Sequence, residues 1–394
     1  MIAGVNHAGL RAHNERLVLS LLRRHGALSK AEITRLTGLS AQTISVINRA
    51  LEDEHFVQRG DPVRGKVGQP SVPMTLDPDG AYSIGLRIGR RKVDLAVMDF
   101  VGTFRDQVTL TYPYPTPTRI LSFVETNLPK LIQSITPVGA EERIVGIGIG
   151  APFQMYNWLD RLGAPQAQMN QWRDFDLTAA VQQLTGFPAT LVNDASCACV
   201  AEQTIGAGRR LEDFAYFYIG SFIGGGVVMN GMLQTGATGN AGAFGPLPSP
   251  TKADENAKLI DTASLFQLER QLKEAGIDGD SIWRDTSDWS RFEPHLSDWL
   301  NPTALALANA IVTVCAVIDF PCIVIDGAFP ASVRAEMVAE VNRAMQSVNT
   351  DGVVVPEIIE GEAGQEARVI GASMLPILAY FDADRSAVRP AVAG

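Results

Sequence analysis

Three groups of residues in this 394-residue chain have the types and spacing to do chemistry. The first is a polar stripe: Ser40, Gln42, Thr43, Ser45, Asn48 and Arg49 alternate with an apolar stripe of Ile44, Ile47 and Leu51. Gln and Asn can pair with adenine edges and Arg with guanine, so a helix presenting such residues can read a major groove. Arg64 and Lys66 follow in a glycine-rich stretch, 60–68, where cations can lie on phosphate. The second group is Arg87, Arg90 and Arg91 around Gly89, at the end of an expected strand; such cations can meet phosphate or stay solvated. The third is Asp194, just after a short buried strand at 189–192. A carboxylate there can act on a ligand or be paired structurally.

The elements that must position the first group are legible. Residues 14–25 carry one apolar stripe (Leu17, Val18, Leu21, Leu22) and stop at Gly26. Ser29-Lys-Ala-Glu32 is a capping box that opens a second short helix, with Ile33 and Leu36 inward. Thr37 to Ser40 makes a turn, and Ser40 caps a third helix to about Glu54. Helix, glycine-containing turn, helix is the helix-turn-helix arrangement. Strands at 56–59 and 71–76 then form a hairpin wing around the basic tip. Residues 1–76 are therefore expected to be a winged helix-turn-helix that binds double-stranded DNA.

Charge supports this assignment. The chain carries −10 overall, yet residues 1–76 hold 10 Lys and Arg against 6 Asp and Glu, and four of the five histidines. A basic first domain on an acidic protein is what phosphate contact by that domain alone requires. The N-terminus lacks the apolar core of a signal peptide. The longest apolar run, 304–318, is interrupted by Asn309 and Thr313 and reads as a buried helix, so a cytoplasmic protein without a membrane partner is expected. Cys197 and Cys199 read as small buried helix residues, and no metal or cofactor is expected.

Beyond a proline-rich boundary at 70–78 the pattern becomes α/β. Strands are expected at 82–88, 93–100, 144–150, 189–192, 214–219 and 322–326, with helices at 118–134, 195–205, 303–317, 332–346 and 365–380. Gly224 to Gly226 reads as a turn, followed by a hairpin about Asn230-Gly231. The two strand-hairpin openings, near 82–100 and 214–234, look like the starts of two related lobes. The expected sensor covers 77–394, with one lobe at about 80–205, a second at about 206–365, and a final helix able to return to the first.

This portion resembles the ROK family (repressors, open reading frames, sugar kinases), in its regulator branch with an N-terminal winged helix. The resemblance rests on Val145 to Pro152, Val192-Asn-Asp-Ala195, Ile219 to Gly226 with Asn230-Gly231, Gly239-Asn-Ala-Gly242, and Ile325-Asp-Gly-Ala328. It implies a two-lobed actin-like, sugar-kinase-like (ribonuclease H-like) ATPase fold, a sugar or sugar-derivative ligand, and a homodimer or dimer of dimers. It also implies ligand contacts at Asn193, Asp194, Gly224, Gly225 and Asn240, with Asp194 at the position of the kinases' catalytic base.

The chain departs from the kinases in three places. Their Asp-x-Gly-Gly-Thr phosphate motif is replaced by Arg87-Ile-Gly-Arg-Arg91, which would repel a metal ion instead of holding it. Their Glu-x-Gly-His becomes Ala243-Phe-Gly-Pro246, without the groups that touch sugar hydroxyls. The cysteine run that completes the relatives' zinc site is missing from 247–268. Asp194 is then a vestigial base, and the expected function is a ligand-controlled DNA-binding regulator, most simply a repressor, of carbohydrate-related genes. Two alternatives stay open: an active sugar kinase with an attached DNA domain, and a constitutive DNA-binding dimer whose sensor half no longer binds a ligand.

Overall fold

The computed structural model describes residues 7–62, 72–135, 139–153, 155, 164–251, 253–284 and 287–383. Three helices come first: His7–His25, Lys30–Thr37 and Ala41–Asp53. The first begins two turns earlier than its apolar stripe predicts. The second has the full capping box on Ser29 and ends at Gly38, which takes the left-handed conformation (φ 69°) that glycine adopts without a Cβ penalty. The third is capped by the Ser40 hydroxyl, which accepts from the Thr43 amide at 3.1 Å. Strands β1 (Val57–Arg59) and β2 (Met74–Leu76) pair antiparallel, with Val57 opposite Leu76. The chain at Leu28 bridges to Met74 on the other side of β2.

Ten further strands build two five-stranded sheets. The first comprises β3 (Tyr82–Ile88), β4 (Lys92–Asp99), β5 (Phe104–Thr111), β6 (Ile144–Gly150) and β7 (Ala189–Val192), in the order β5-β4-β3-β6-β7. The second comprises β8 (Phe214–Ile219), β9 (Ile223–Met229), β10 (Met232–Gln234), β11 (Cys322–Gly327) and β12 (Glu357–Glu360), in the order β10-β9-β8-β11-β12. Each sheet is thus a three-stranded antiparallel meander whose first strand is flanked by two strands that arrive later. The central strands β3 and β8 are buried along their whole length; β8 is an unbroken apolar run, whereas β3 also buries Ser83 and Arg87. The Asn230-Gly231 turn takes two left-handed residues (φ 53° and 69°), which matches the right-handed twist of the hairpin it closes.

By contacts the described chain forms two compact units. One runs to Ile149, resumes at 164–191 and takes up the chain again from Ala372. The other comprises Gly150–Phe153 and Val192–Gly371. Helix Asp194–Ile205 packs on β9 and so belongs with the second sheet. The internal boundary therefore falls at 191/192, earlier than the 205/206 that the strand-helix pattern suggests.

The winged helix has no separate core. Val18, Leu22, Ile33, Ile44, Ile47, Leu51 and Val57 form one buried cluster with Ala81 and Phe100 of the first sheet region and with Ile377 and Phe381 of the last helix, Ala367–Phe381. Phe56, Phe100 and Phe381 meet as an aromatic triad, with centroids 4.6 to 6.0 Å apart. Helix His295–Val317 is long and apolar enough to cross a bilayer. Its Leu296, Trp299, Leu300, Leu307 and Ile311 are instead buried, and it packs on helices Leu265–Glu274 and Ala331–Met345.

Candidate nucleic-acid interface and ligand site

Helix Ala41–Asp53 buries Ile44, Ile47 and Leu51 and turns Gln42, Ser45, Val46 and Arg49 outward, at three- and four-residue spacing. Gln42, Ser45 and Arg49 are exposed as their sequence positions suggest. Ser40 and Thr43 are engaged in the cap, their hydroxyls 2.8 Å apart. Asn48 is half-buried, and its Oδ1 is turned inward without a hydrogen bond, so it presents less to solvent than its neighbours. Two residues join this face that periodicity alone left out. Val46 is 60% exposed, an apolar group suited to a thymine methyl. Lys30, from the preceding helix, donates to the Ser45 hydroxyl. Arg59 is held by both oxygens of Glu52 at 2.7 and 2.9 Å. Arg64 and Lys66 lie outside the described residues.

The second candidate site gathers at one end of the second sheet. Asn193 caps helix Asp194–Ile205, its side-chain oxygen accepting from the Ala195 amide at 3.0 Å. Asp194 is the first residue of that helix, where the N-terminal dipole favours a carboxylate. Its Oδ2 accepts from Arg368 Nη1 at 3.2 Å, with both side chains mostly buried. The Arg368 guanidinium also lies over the Tyr218 ring, 5.0 Å from its centroid. Arg368 carries no motif, and no local signal links it to Asp194, 174 residues away.

The glycines need a correction. Gly224 to Gly226 do not form a turn; they lie within β9, paired with Tyr218, Phe217 and Tyr216, and the turn falls at 220–222. A Cβ on Gly224 would come within 2.8 Å of the Ala195 Cβ, and one on Gly226 within 2.5 Å of the Cys199 Cβ. One on Gly225 would run into the Tyr216 carbonyl and the Phe244 ring. Close helix-on-strand packing therefore demands Gly224 and Gly226, and the Tyr216 carbonyl with the Phe244 ring demands Gly225, whatever else approaches them. Phe244, in the altered Ala243–Pro246 segment, stacks on Phe217 with centroids 4.4 Å apart. Asn240 is exposed, on the loop whose Asn240 carbonyl accepts from the Ala243 amide.

In the other unit, Arg87 sits opposite Asp94 across β3 and β4 and donates to it at 3.1 Å, with side chains only 6% and 2% exposed. Burial pushes the Asp94 carboxyl up, but Arg87, Lys92 and the Thr109 hydroxyl outweigh it and hold the group below its ordinary value. Gly89 is capped from its carbonyl side by the Tyr112 hydroxyl at 2.7 Å. A buried arginine already paired with the neighbouring carboxylate leaves, among the described residues, no free carboxylate at this strand end for a magnesium nucleotide. Among the described residues, no group of three His, Cys, Asp or Glu is placed to hold a metal ion. The four cysteines are buried and unpaired, and burial pushes the Cys197 and Cys199 thiols well up.

Sequence reasoning gave no role to two carboxylates, Glu202 and Asp326. Glu202 accepts from the amides of Ala207 (2.7 Å), Glu362 (3.0 Å) and Ala363 (2.9 Å). Asp326 accepts from the amides of Gly327 (2.8 Å) and Gly364 (2.7 Å), from Tyr216 Oη and from Arg334. Burial raises both carboxyls, and the amide donors only partly offset it. Together they fix residues 362–364, the lead-in to the last helix.

The fold is α/β, with two sheets of the actin-like, sugar-kinase kind and helix-turn-helix elements ahead of them. Residues 83–260 match the model of the ROK family. The xylose repressor of Bacillus subtilis is 25% identical over 236 residues, 59% of this chain and 59% of the repressor. The xylose repressor of Caldicellulosiruptor bescii is 27% identical over 246 residues, 61% of this chain and 59% of its own length. The chain thus spans about three fifths of these relatives. The crystal structure of a ROK family transcriptional regulator, a homologue of the E. coli MLC protein, shares the fold. Its TM-score is 0.67, with 18% identity over 95% of this chain and 97% of that one.

Proposed function

We propose that this protein is a DNA-binding transcriptional repressor controlled by a sugar or sugar derivative. The carrying observation is the outward face of helix Ala41–Asp53: Gln42, Ser45, Val46 and Arg49 stand exposed on the second helix of a helix-turn-helix. The xylose repressors that align with this chain support the same reading. Arg64 and Lys66 supply phosphate contacts from the wing. A homodimer places two such helices on half-sites a whole number of turns apart, about 10.5 bp each. The effector contacts Asn193, Asp194, Asn240 and the backbone near Gly224 and Gly225.

The protein does not phosphorylate that sugar. Arg87 is locked to Asp94 where a metal-binding carboxylate would be needed, and Asp194 is paired with Arg368 instead of standing free to take a hydroxyl proton. ADP release above background with D-glucose or D-xylose, abolished by Asp194→Asn, would restore the kinase alternative.

The principal test is fluorescence anisotropy of the full chain on a duplex from its own upstream region across a salt series. Saturable binding that weakens steeply with salt is expected. Gln42→Ala or Arg49→Ala should change base preference, costing about 1–3 kcal/mol at the contacted pair. Arg64→Ala or Lys66→Ala should weaken binding to all sequences and flatten the salt slope. Absence of salt-sensitive binding refutes the regulator.

A further inference from the structure

Helix Ala41–Asp53 carries more polar groups than it can present to a ligand. Ser40 and Thr43 meet hydroxyl to hydroxyl at 2.8 Å in the cap, and Ser40 also holds the Thr43 amide. The Ser45 hydroxyl donates to the Ala41 carbonyl at 3.0 Å, in the preceding turn, and accepts from Lys30 Nζ. Asn48 is half-buried, with its Oδ1 turned inward. Those groups are occupied within the protein or withdrawn from its surface. Gln42 and Arg49 remain, both exposed.

Between Gln42 and Arg49 the helix presents an apolar group. Val46 is 60% exposed, one turn after Gln42 and one turn before Arg49. At 1.5 Å per residue it stands about 6 Å along the helix from the first and about 4.5 Å from the second. The three side chains thus cover about 10.5 Å, close to three base-pair steps of about 3.4 Å. They share one concavity of 380 Å³, lined by Gln42, Ser45, Val46, Arg49, Ala50 and Asp53. Asp53 closes it at the C-terminal end, where a carboxylate repels phosphate and confines reading to the first two turns.

We propose that Val46 is a specificity-determining residue that packs on the 5-methyl group of a thymine, between the base pairs contacted by Gln42 and Arg49. The inference rests on the reading of this helix as a DNA-recognition element. In the major groove thymine alone among the four bases presents a methyl group, and an apolar side chain is its complement. The γ-methyl groups of Val46 leave no donor or acceptor unpaired when water is excluded from that contact. A cytosine at the same place presents an amino donor that valine cannot answer, so its burial is penalised. A second protein would be the other occupant of an exposed valine, but the charge around it favours DNA. Residues 1–76 carry 10 Lys and Arg against 6 Asp and Glu in a chain of net charge −10, and Lys30, held by Ser45, adds a cation beside Val46.

The test is fluorescence anisotropy of the full chain on the duplex from its own upstream region. Each thymine in turn is replaced by deoxyuridine, which removes the methyl group and leaves the pairing with adenine intact. The wild type should bind about fourfold more weakly when one thymine of a half-site is replaced, the contribution of one buried methyl group. That thymine should lie within about three base pairs of the positions at which Gln42→Ala and Arg49→Ala alter base preference. Val46→Ser, which lacks both γ-methyl groups, should bind the thymine and deoxyuridine duplexes equally. Val46→Thr, which keeps one of them, should recover part of the difference. Val46 is exposed, so neither substitution opens a cavity, and each ratio is taken within one variant, where a general loss of affinity cancels.

A wild type that binds the duplex but is indifferent to deoxyuridine at every thymine overturns the inference and leaves the regulator reading standing. A thymine effect that persists undiminished in Val46→Ser overturns it too, because another side chain then meets the methyl group. So does an effect confined to thymines remote from the positions read by Gln42 and Arg49. If the wild type binds no DNA, the regulator reading falls and the Val46 contact falls with it.

Discussion

The two sheets share a strand order and differ in how they tolerate buried charge. The first compensates a charge with its opposite: Arg87 and Asp94 face each other across β3 and β4. The second compensates carboxylates with backbone amides. Glu202 takes three and Asp326 takes two, with Arg334 adding a cation to the latter. The consequence is opposite in sign, since Asp94 is held below its ordinary value while Glu202 and Asp326 are pushed above theirs. A cross-strand pair stabilises only its own sheet. An amide cradle fixes a distant segment, here 362–364, and through it the start of the last helix. One topology therefore serves as the support of the winged helix in one unit and as the mount of Asp194 and Arg368 in the other.

The comparison breaks most severely at Asp94. Asp94→Ala leaves Arg87 buried without its counter-ion and should cost about 3–5 kcal/mol in urea denaturation. Replacing both members with apolar residues, Arg87→Met with Asp94→Leu, should recover most of that loss. A double variant as unstable as the single would show that the pair does more than neutralise charge.

A smaller loss is expected in the second sheet from Gly226→Ala, where the new Cβ meets Cys199. Overpacking there should cost about 1–3 kcal/mol, and the same assay checks it. No measurable loss would mean that helix Asp194–Ile205 shifts more readily than its packing implies.

The pH dependence sharpens the contrast with the smallest effect. Asp94 has a depressed folded value, so its contribution is present above its ordinary 3.8 and is lost as pH falls through the folded value. Glu202 has a raised folded value, so its contribution is full below its ordinary 4.5 and is lost as pH rises through the folded value. The destabilisation caused by Asp94→Asn should therefore be greatest at neutral pH and fade in acid. That caused by Glu202→Gln should be greatest in acid and shrink toward neutral pH. Parallel trends in the two variants would remove the distinction between pair and cradle.

Local chemistry was readable in the sequence wherever a short segment contains its own cause. The Ser29–Glu32 capping box, the Ser40 cap and the Asn230-Gly231 hairpin each satisfy their backbone groups within four residues. The outward set Gln42, Ser45 and Arg49 follows from helical spacing alone. Edge strands β5 and β12 escaped because they are polar or short and lack a buried period. Gly224 to Gly226 looked like a turn because nothing nearby in sequence shows that Ala195, Cys199 and Phe244 press on them.

The sequence by itself determined the helix-turn-helix, its polar face and the two strand-hairpin openings, because these depend on neighbours a few residues apart. The tertiary structure alone decided that Arg368 meets Asp194, that Glu202 and Asp326 hold 362–364, and that Ile377 and Phe381 complete the winged-helix core. Those contacts join residues 38 or more positions apart. They arise only when burial of apolar surface has closed the fold and forced each enclosed polar group to find a partner.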